Sequence, residues 1–237
     1  MTADRPPLAE GVPDRLYGRR RGHPLRPRQQ RLLDVTLPRL RLSAAEAADP
    51  LAAFGMPGAP LWLEVGFGGG EHLAWQAARH PEFAFIGAEF FLNGVVSLLG
   101  HLAREGLGNV RIHPDDARRL LKALPDLSVG RAFLLFPDPW PKARHARRRF
   151  VSPENLTELA RILKPGAELR IASDDPGYVA WTLEHLTRSL QFEWLAHGPS
   201  DWRTRPEDWP PTRYEEKAVR AGRKPVYLRF RRRAAEN

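Results

Sequence analysis

A chain of 237 residues, 42% hydrophobic and 27% charged, is long enough for one well-packed globular domain. Its 37 Lys and Arg outnumber 28 Asp and Glu, a formal +9 that favours polyanionic partners through phosphate neutralisation. The absence of cysteine excludes disulfides, thiolate metal sites and cysteine nucleophiles. No apolar run reaches the ~20 residues of a membrane span, and the Arg- and Pro-rich start has no apolar signal region, so the expected location is the cytoplasm.

Residues 1–42 carry Arg19, Arg20, Arg21, Arg26, Arg28 and Arg31 with little apolar periodicity. They read as a basic arm, loosely ordered at its start, ahead of a domain over 43–237. Leu61–Val65 is a short apolar run ending in glycines, hence a buried strand, and a helix is expected over Glu71–His80. Phe83–Ala88 is the second strand candidate. Leu92, Val95, Val96, Leu99 and Leu102 share one face of a helix. Val110–Ile112 and Ala132–Phe136 read as strands, with Arg118–Leu124 helical between them. Ser152 then caps a helix with Pro153 at its first position, and Lys164-Pro165-Gly166 is expected to end it. Glu168–Ala172 is a strand, Tyr178–Leu190 a helix and Phe192–Leu195 a strand. A Trp- and Pro-rich loop is expected over His197–Pro211, then a helix over Thr212–Ala221 and a last strand over Val226–Phe230. Strands alternating with helices predict an α/β fold, doubly wound around a mostly parallel sheet.

The first strand runs into Gly66-Phe67-Gly68-Gly69-Gly70, where glycine lets the backbone turn sharply and approach a ligand closely. Glu71 stands where a dinucleotide fingerprint would have its third glycine, which disfavours NAD. Glu64, just before the glycines, suits a cationic ligand better than a pyrophosphate. Glu89 closes the second strand near the spacing at which a carboxylate accepts ribose hydroxyls. Asp115 and Asp116 follow the third strand; one can reach an adenine edge and the other can cap a helix. Phe136-Pro137-Asp138-Pro139-Trp140 follows the fourth, at the sheet edge where such folds place their chemistry. The prolines stiffen Asp138, Trp140 offers a face for stacking a base, and Lys142, Arg144, His145, Arg147, Arg148 and Arg149 come next.

Over Gly18 to Arg233 the sequence resembles the bacterial tRNA (guanine-N7)-methyltransferase family. The resemblance rests on Leu63-Glu64-Val65-Gly66-Phe67-Gly68, Gly87-Ala88-Glu89, Ser173-Asp174 and Thr212-Arg213-Tyr214-Glu215. Its most specific part is Phe136-Pro137-Asp138-Pro139-Trp140-Pro141-Lys142-Ala143-Arg144-His145. It implies a seven-stranded Rossmann-like sheet, S-adenosylmethionine as cofactor and guanine 46 of the tRNA variable loop as target. It also implies that Glu64, Gly66, Gly68, Glu89, Asp116 and Asp138 hold the cofactor and that Asp138 is the catalytic residue. Lys142, Asp174, Thr212, Arg213, Tyr214 and Glu215 would hold the substrate. Arg144, Arg147, Arg148 and Arg149 are expected to contact tRNA phosphates. The eight histidines form no ligand-like cluster, so no metal is expected, and a monomer or homodimer is anticipated.

Overall fold

A computed structural model describes residues 17–234. The start of the basic arm lies outside them. From Pro27 the arm is helical: α1 (Pro27–Arg31), a π-helical turn (Leu32–Thr36) and α2 (Leu37–Leu40). Leu32, Leu33, Leu37 and Leu40 pack against the core, Arg41 bridges Ile112, and Leu42 is fully buried. The apolar residues spaced among the arginines thus give this part of the arm a face to dock.

There follow α3 (Pro50–Phe54), β1 (Leu61–Val65), α4 (Glu71–Arg79), β2 (Ala84–Ala88) and α5 (Leu92–Glu105). Next come β3 (Val110–His113), α6 (Ala117–Ala123), β4 (Val129–Leu135), α7 (Pro153–Ile162) and β5 (Leu163–Ser173). The chain closes with α8 (Pro176–Arg188), β6 (Phe192–Trp194), α9 (Ser200–Arg203), α10 (Arg213–Arg220) and β7 (Val226–Arg232). The seven strands form one sheet in the order β3-β2-β1-β4-β5-β7-β6. The first five pair in parallel, and β7 runs antiparallel to both β5 and β6.

Strand alternation divides the core. Leu61, Leu63 and Val65 face one apolar layer, with Leu120, Leu156 and Leu159 of the helices, while Trp62 faces the other, with Leu73, Val95 and Leu99. Each fully buried leucine contributes about 1.5–3 kcal/mol relative to an exposed one. The chain winds outward from β1 to β3, then returns to place β4 on the other side of β1. This reversal opens a crevice beyond the carboxyl ends of β1 and β4, the place where open α/β sheets bind ligands.

Two sequence expectations need correction. Lys164-Pro165-Gly166 does not follow the helix as a terminating loop. The helix stops at Ile162, and the tripeptide lies within β5, where the register to β4 jumps from Val129↔Leu163 to Arg131↔Glu168. That irregularity absorbs the missing proline N–H and the left-handed Gly166 (φ 82°) without ending the strand. The expected loop over His197–Pro211 contains the one-turn α9, whose first turn is fixed by Asp201 accepting from the His197 and Gly198 amides.

Glu168 sits between Arg170 (2.7 Å) and Arg229 (3.0 Å), with 17% of its side chain exposed. Desolvation opposes its ionisation, but the two guanidiniums outweigh it and hold the carboxyl down at about 2. A carboxyl lowered on folding stabilises above its unfolded value and loses that contribution as pH falls through the folded one. Glu168→Gln should therefore lower stability at pH 7 by about 2 kcal/mol. Denaturant titrations of variant and wild type should converge as pH falls from the ordinary 4.5 toward 2; a gap that persists at the acid end would refute the ion-pair account.

Candidate active site

The crevice is a cavity of about 550 Å³, of ligand size, lined by Gly66, Glu89 and Asp116 after the first three strands and by Asp138, Trp140 and Arg148 from the segment after β4. Gly66 (φ 69°) turns β1 into the glycine loop, and the space over its α-carbon is open for 4 Å. Only glycine supplies both that backbone and that room. Glu89, at the end of β2, accepts from the Gly68 amide (2.9 Å) and the Phe91 amide (2.8 Å), so it ties the glycine loop to the start of α5. Burial pushes its carboxyl up against the pull of those amides, with Asp138 adding to the rise. From α5, Gly94 packs directly on the loop: a Cβ there would overlap the Gly68 carbonyl oxygen.

Asp115 and Asp116 both line the cavity but differ in burial and bonding. Asp116 is buried and caps α6, accepting from the Arg118 amide (3.0 Å) and pairing with its guanidinium (2.6 Å). Asp115 is only partly buried and accepts from the Asp116 amide (2.9 Å).

The Phe136–Trp140 loop is strained at both ends: Phe136 (φ 50°) and Trp140 (φ 44°) are left-handed without being glycine. Each such residue costs about 1–3 kcal/mol and persists only where its surroundings hold it. Here the Phe136 amide donates to the Ala172 carbonyl (2.8 Å), and Arg149 donates to the carbonyls of Pro139 (3.0 Å) and Trp140 (3.3 Å). Asp138 itself is exposed at the rim, yet the protein on its cavity side withdraws enough water to push its carboxyl up.

The four arginines expected on phosphate divide. Arg144 and Arg147 are exposed, as is Lys142. Arg149 folds back to buttress the loop and lies over Trp181 (4.8 Å). Arg148 lies between the rings of Tyr17 (4.3 Å) and Trp140 (4.9 Å). Their guanidiniums are engaged by the protein because loop carbonyls and aromatic faces compete with phosphate for them. Trp140 likewise meets Tyr17, Arg148 and His145 rather than standing open. Desolvation and the neighbouring Arg148, Arg144, Lys142 and Arg147 push the His145 imidazole below its ordinary value.

Other residues expected at the site lie outside the cavity lining. Glu64 is buried behind the loop against His72 Nδ1 (2.7 Å). Asp174 is paired with Arg223. Thr212 caps α10, and Glu215 is buried between Arg205 (2.9 Å) and Tyr227 Oη (2.7 Å). Arg213 and Tyr214 are exposed, and the Tyr214 ring covers Gly68, where a Cβ would come within 2.5 Å of it. Thr212-Arg213-Tyr214-Glu215 is thus joined to the glycine loop through one ring. Sequence reasoning missed Gly94, His72, Gln76 and the inward role of Arg149; of these only Gly94, a glycine inside a helical pattern, left a local signal. Among the described residues no cluster of three or more His, Cys, Asp or Glu could hold a metal ion, and no helix is long and apolar enough to cross a membrane.

Sheet order, switch-point crevice and glycine loop define the class as a Rossmann-like methyltransferase. Residues 58–228 match a family model described as "Putative methyltransferase". A 16S rRNA (adenine(1408)-N(1))-methyltransferase from Catenulisporales acidiphilia shares the fold at a TM-score of 0.53 and 19% identity, over 82% of this chain and 95% of that one. The tRNA (guanine-N(7)-)-methyltransferase of Granulibacter bethesdensis is 58% identical over 229 residues, 93% of this chain and 96% of its own. That of Rhodospirillum rubrum is 56% identical over 224 residues, 92% and 88% respectively. The chain belongs to the tRNA (guanine-N7)-methyltransferase family.

Proposed function

We propose that the chain methylates N7 of guanine in tRNA, at position 46 of the variable loop, using S-adenosylmethionine. The observation that carries this reading is that Asp138 lines the same cavity as Gly66 and Glu89, with exposed Lys142, Arg144 and Arg147 following it in the chain. The cavity fits the cofactor: its size, the open space over Gly66 and the carboxylates of Glu89, Asp115, Asp116 and Asp138 suit a nucleoside that carries positive charge.

When bound, S-adenosylmethionine supplies an electrophilic sulfonium methyl. Glu89 would hold the ribose hydroxyls, Asp116 or Asp115 the adenine edge, and Glu64, Gly66 and Gly68 the methionine end. Guanine N7 carries a lone pair and no proton, so no general base is required. What the protein must supply is in-line approach and support for the positive charge that develops on the purine. Asp138 does both by accepting from guanine N1–H and the exocyclic amine, and the stiff loop fixes its position. Asp174 and Thr212–Glu215 support the substrate side, with Tyr214 closest to the glycine loop. Residues 1–42 act as a basic arm for tRNA and 43–237 as the catalytic domain, as a monomer or homodimer in the cytoplasm.

Incubation with cofactor and unmodified tRNA transcript, followed by borohydride–aniline treatment, cuts at 7-methylguanosine. A single cut in the variable loop is expected. Methyl incorporation without a cut would point to an exocyclic amine, and no incorporation to a binding module. Binding to tRNA should also weaken steeply with salt. Replacing Lys142, Arg144 and Arg147 together with alanine should flatten the log–log slope by about 2–3. An unchanged slope would remove these residues from the docking surface.

A further inference from the structure

Behind the glycine loop lies a chain of polar groups of which the mechanism above uses only Glu64. Gln76 Nε2 contacts two atoms, the Asp208 carbonyl oxygen (2.8 Å) and His72 Nε2 (3.2 Å), and His72 Nδ1 contacts Glu64 Oε2 (2.7 Å). Glu64, His72 and Gln76 are each at most 2% exposed. Phe133 packs on the imidazole at 4.6 Å and Trp209 at 6.3 Å, so the chain runs through an aromatic wall.

The proton positions follow by elimination. A backbone carbonyl only accepts, so the Gln76 atom facing Asp208 must be the amide nitrogen rather than the oxygen. The same nitrogen faces His72 Nε2 and carries a second hydrogen, which makes that ring nitrogen an acceptor. An imidazolium would set an N–H against an N–H. His72 is therefore neutral with its proton on Nδ1, and that proton is donated to Glu64 Oε2. No hydrogen bond from the described residues reaches Glu64 Oε1. A buried carboxylate whose one side-chain partner is a neutral donor suits a cationic ligand better than one paired with arginine, as Glu168 is.

The geometry points to His72 and Gln76 as positioning residues that fix Glu64 through Oε2 and leave Oε1 to receive the ammonium group at the methionine end of the cofactor. This assignment rests on the methyltransferase reading. It also connects Glu64 to the segment carrying Trp209 and Tyr214, because the far end of the chain is the Asp208 carbonyl.

The test compares two ligands by calorimetry. S-adenosylhomocysteine has the amino-acid end, whereas 5′-methylthioadenosine keeps the nucleoside and lacks it. His72→Phe should weaken S-adenosylhomocysteine about tenfold, the size of one hydrogen bond to a charged group, with methylthioadenosine within about twofold of wild type. His72→Asn, which restores an N–H near the place of Nδ1, should recover most of the loss. Parallel weakening of both ligands would reduce His72 to a packing role and overturn the proposal, as would no weakening of either. Wild-type protein labelled with 15N-histidine gives a reading independent of any variant. Its His72 resonances at pH 7 should be those of the neutral Nδ1–H form; an Nε2–H or doubly protonated ring would overturn the assignment. A wild type that bound neither ligand would instead overturn the methyltransferase reading beneath it.

Discussion

Asp138→Asn should lower kcat for methyl transfer at least about a hundredfold while leaving S-adenosylhomocysteine affinity within about threefold. Asparagine keeps the shape of the side chain and removes its charge. It can offer one acceptor oxygen to the guanine edge, but no negative charge to offset the cation that forms as N7 is alkylated. The loop around it should survive, because Phe136 and Arg149 hold it through backbone carbonyls and, among the described residues, no Asp138 hydrogen bond contributes. A pH series adds a second discriminant. Desolvation raises the Asp138 carboxyl above its ordinary 3.8, and the ionised form is the one that accepts from guanine. Wild-type turnover should therefore fall as pH drops through that raised value, and the residual activity of the variant should lack that acid limb. Turnover near wild type in Asp138→Asn would end the electrostatic account of this residue.

Gly94→Ala should cost stability and cofactor affinity together, against the usual rule. In a helix interior alanine is ordinarily worth about 1 kcal/mol more than glycine. Gly94 lies in the first turn of α5, and its α-carbon rests on the glycine loop, so the added methyl would overlap the Gly68 carbonyl oxygen. Either α5 moves or the loop does. Overpacking of this kind costs about 1–3 kcal/mol, and the Gly68 amide that holds Glu89 moves with the loop. Expected results are a lower Tm and at least about tenfold weaker S-adenosylhomocysteine binding. At the half-buried Gly100 of the same helix, where a Cβ meets nothing within 4 Å, alanine should instead raise Tm slightly. Equal behaviour at the two positions would refute the contact.

What the sequence disclosed follows how local each feature is. The runs Leu61–Val65, apolar but for Glu64, and Ala84–Ala88 are short segments bounded by breakers, and the α5 stripe has helical period, so each is visible in its own window. Ser152 and Pro153 mark a helix start by short-range chemistry, and Ser152 Oγ indeed accepts from the Asn155 amide. Lys164-Pro165-Gly166 misled because its local preference is to break structure, whereas here it lies inside β5, between the Leu163 and Glu168 pairings to β4. At the site, Glu89 and Asp138 were legible from their places after strands. Arg148 and Arg149 were not separable from Arg144 and Arg147, since nothing within a basic run says which guanidinium turns inward. The link from Gln76 to Asp208 spans 132 residues and leaves no local trace.

The place of β7 bears on how this molecule is assembled. It comes last among the strands but lies inside the sheet, and β6 joins the rest only through it. The four strands β3-β2-β1-β4 that cradle the crevice are all present by Leu135. On a ribosome this half can condense while later residues are still being added. β6 and the outer edge of β5, by contrast, wait for a distant segment to insert between them, a slow, long-range closure. Until then the exposed edge of β5 is open to pairing with another chain. The nucleotide cradle therefore has the means to form early, and the vulnerable interval in the life of the protein is the wait for its last strand.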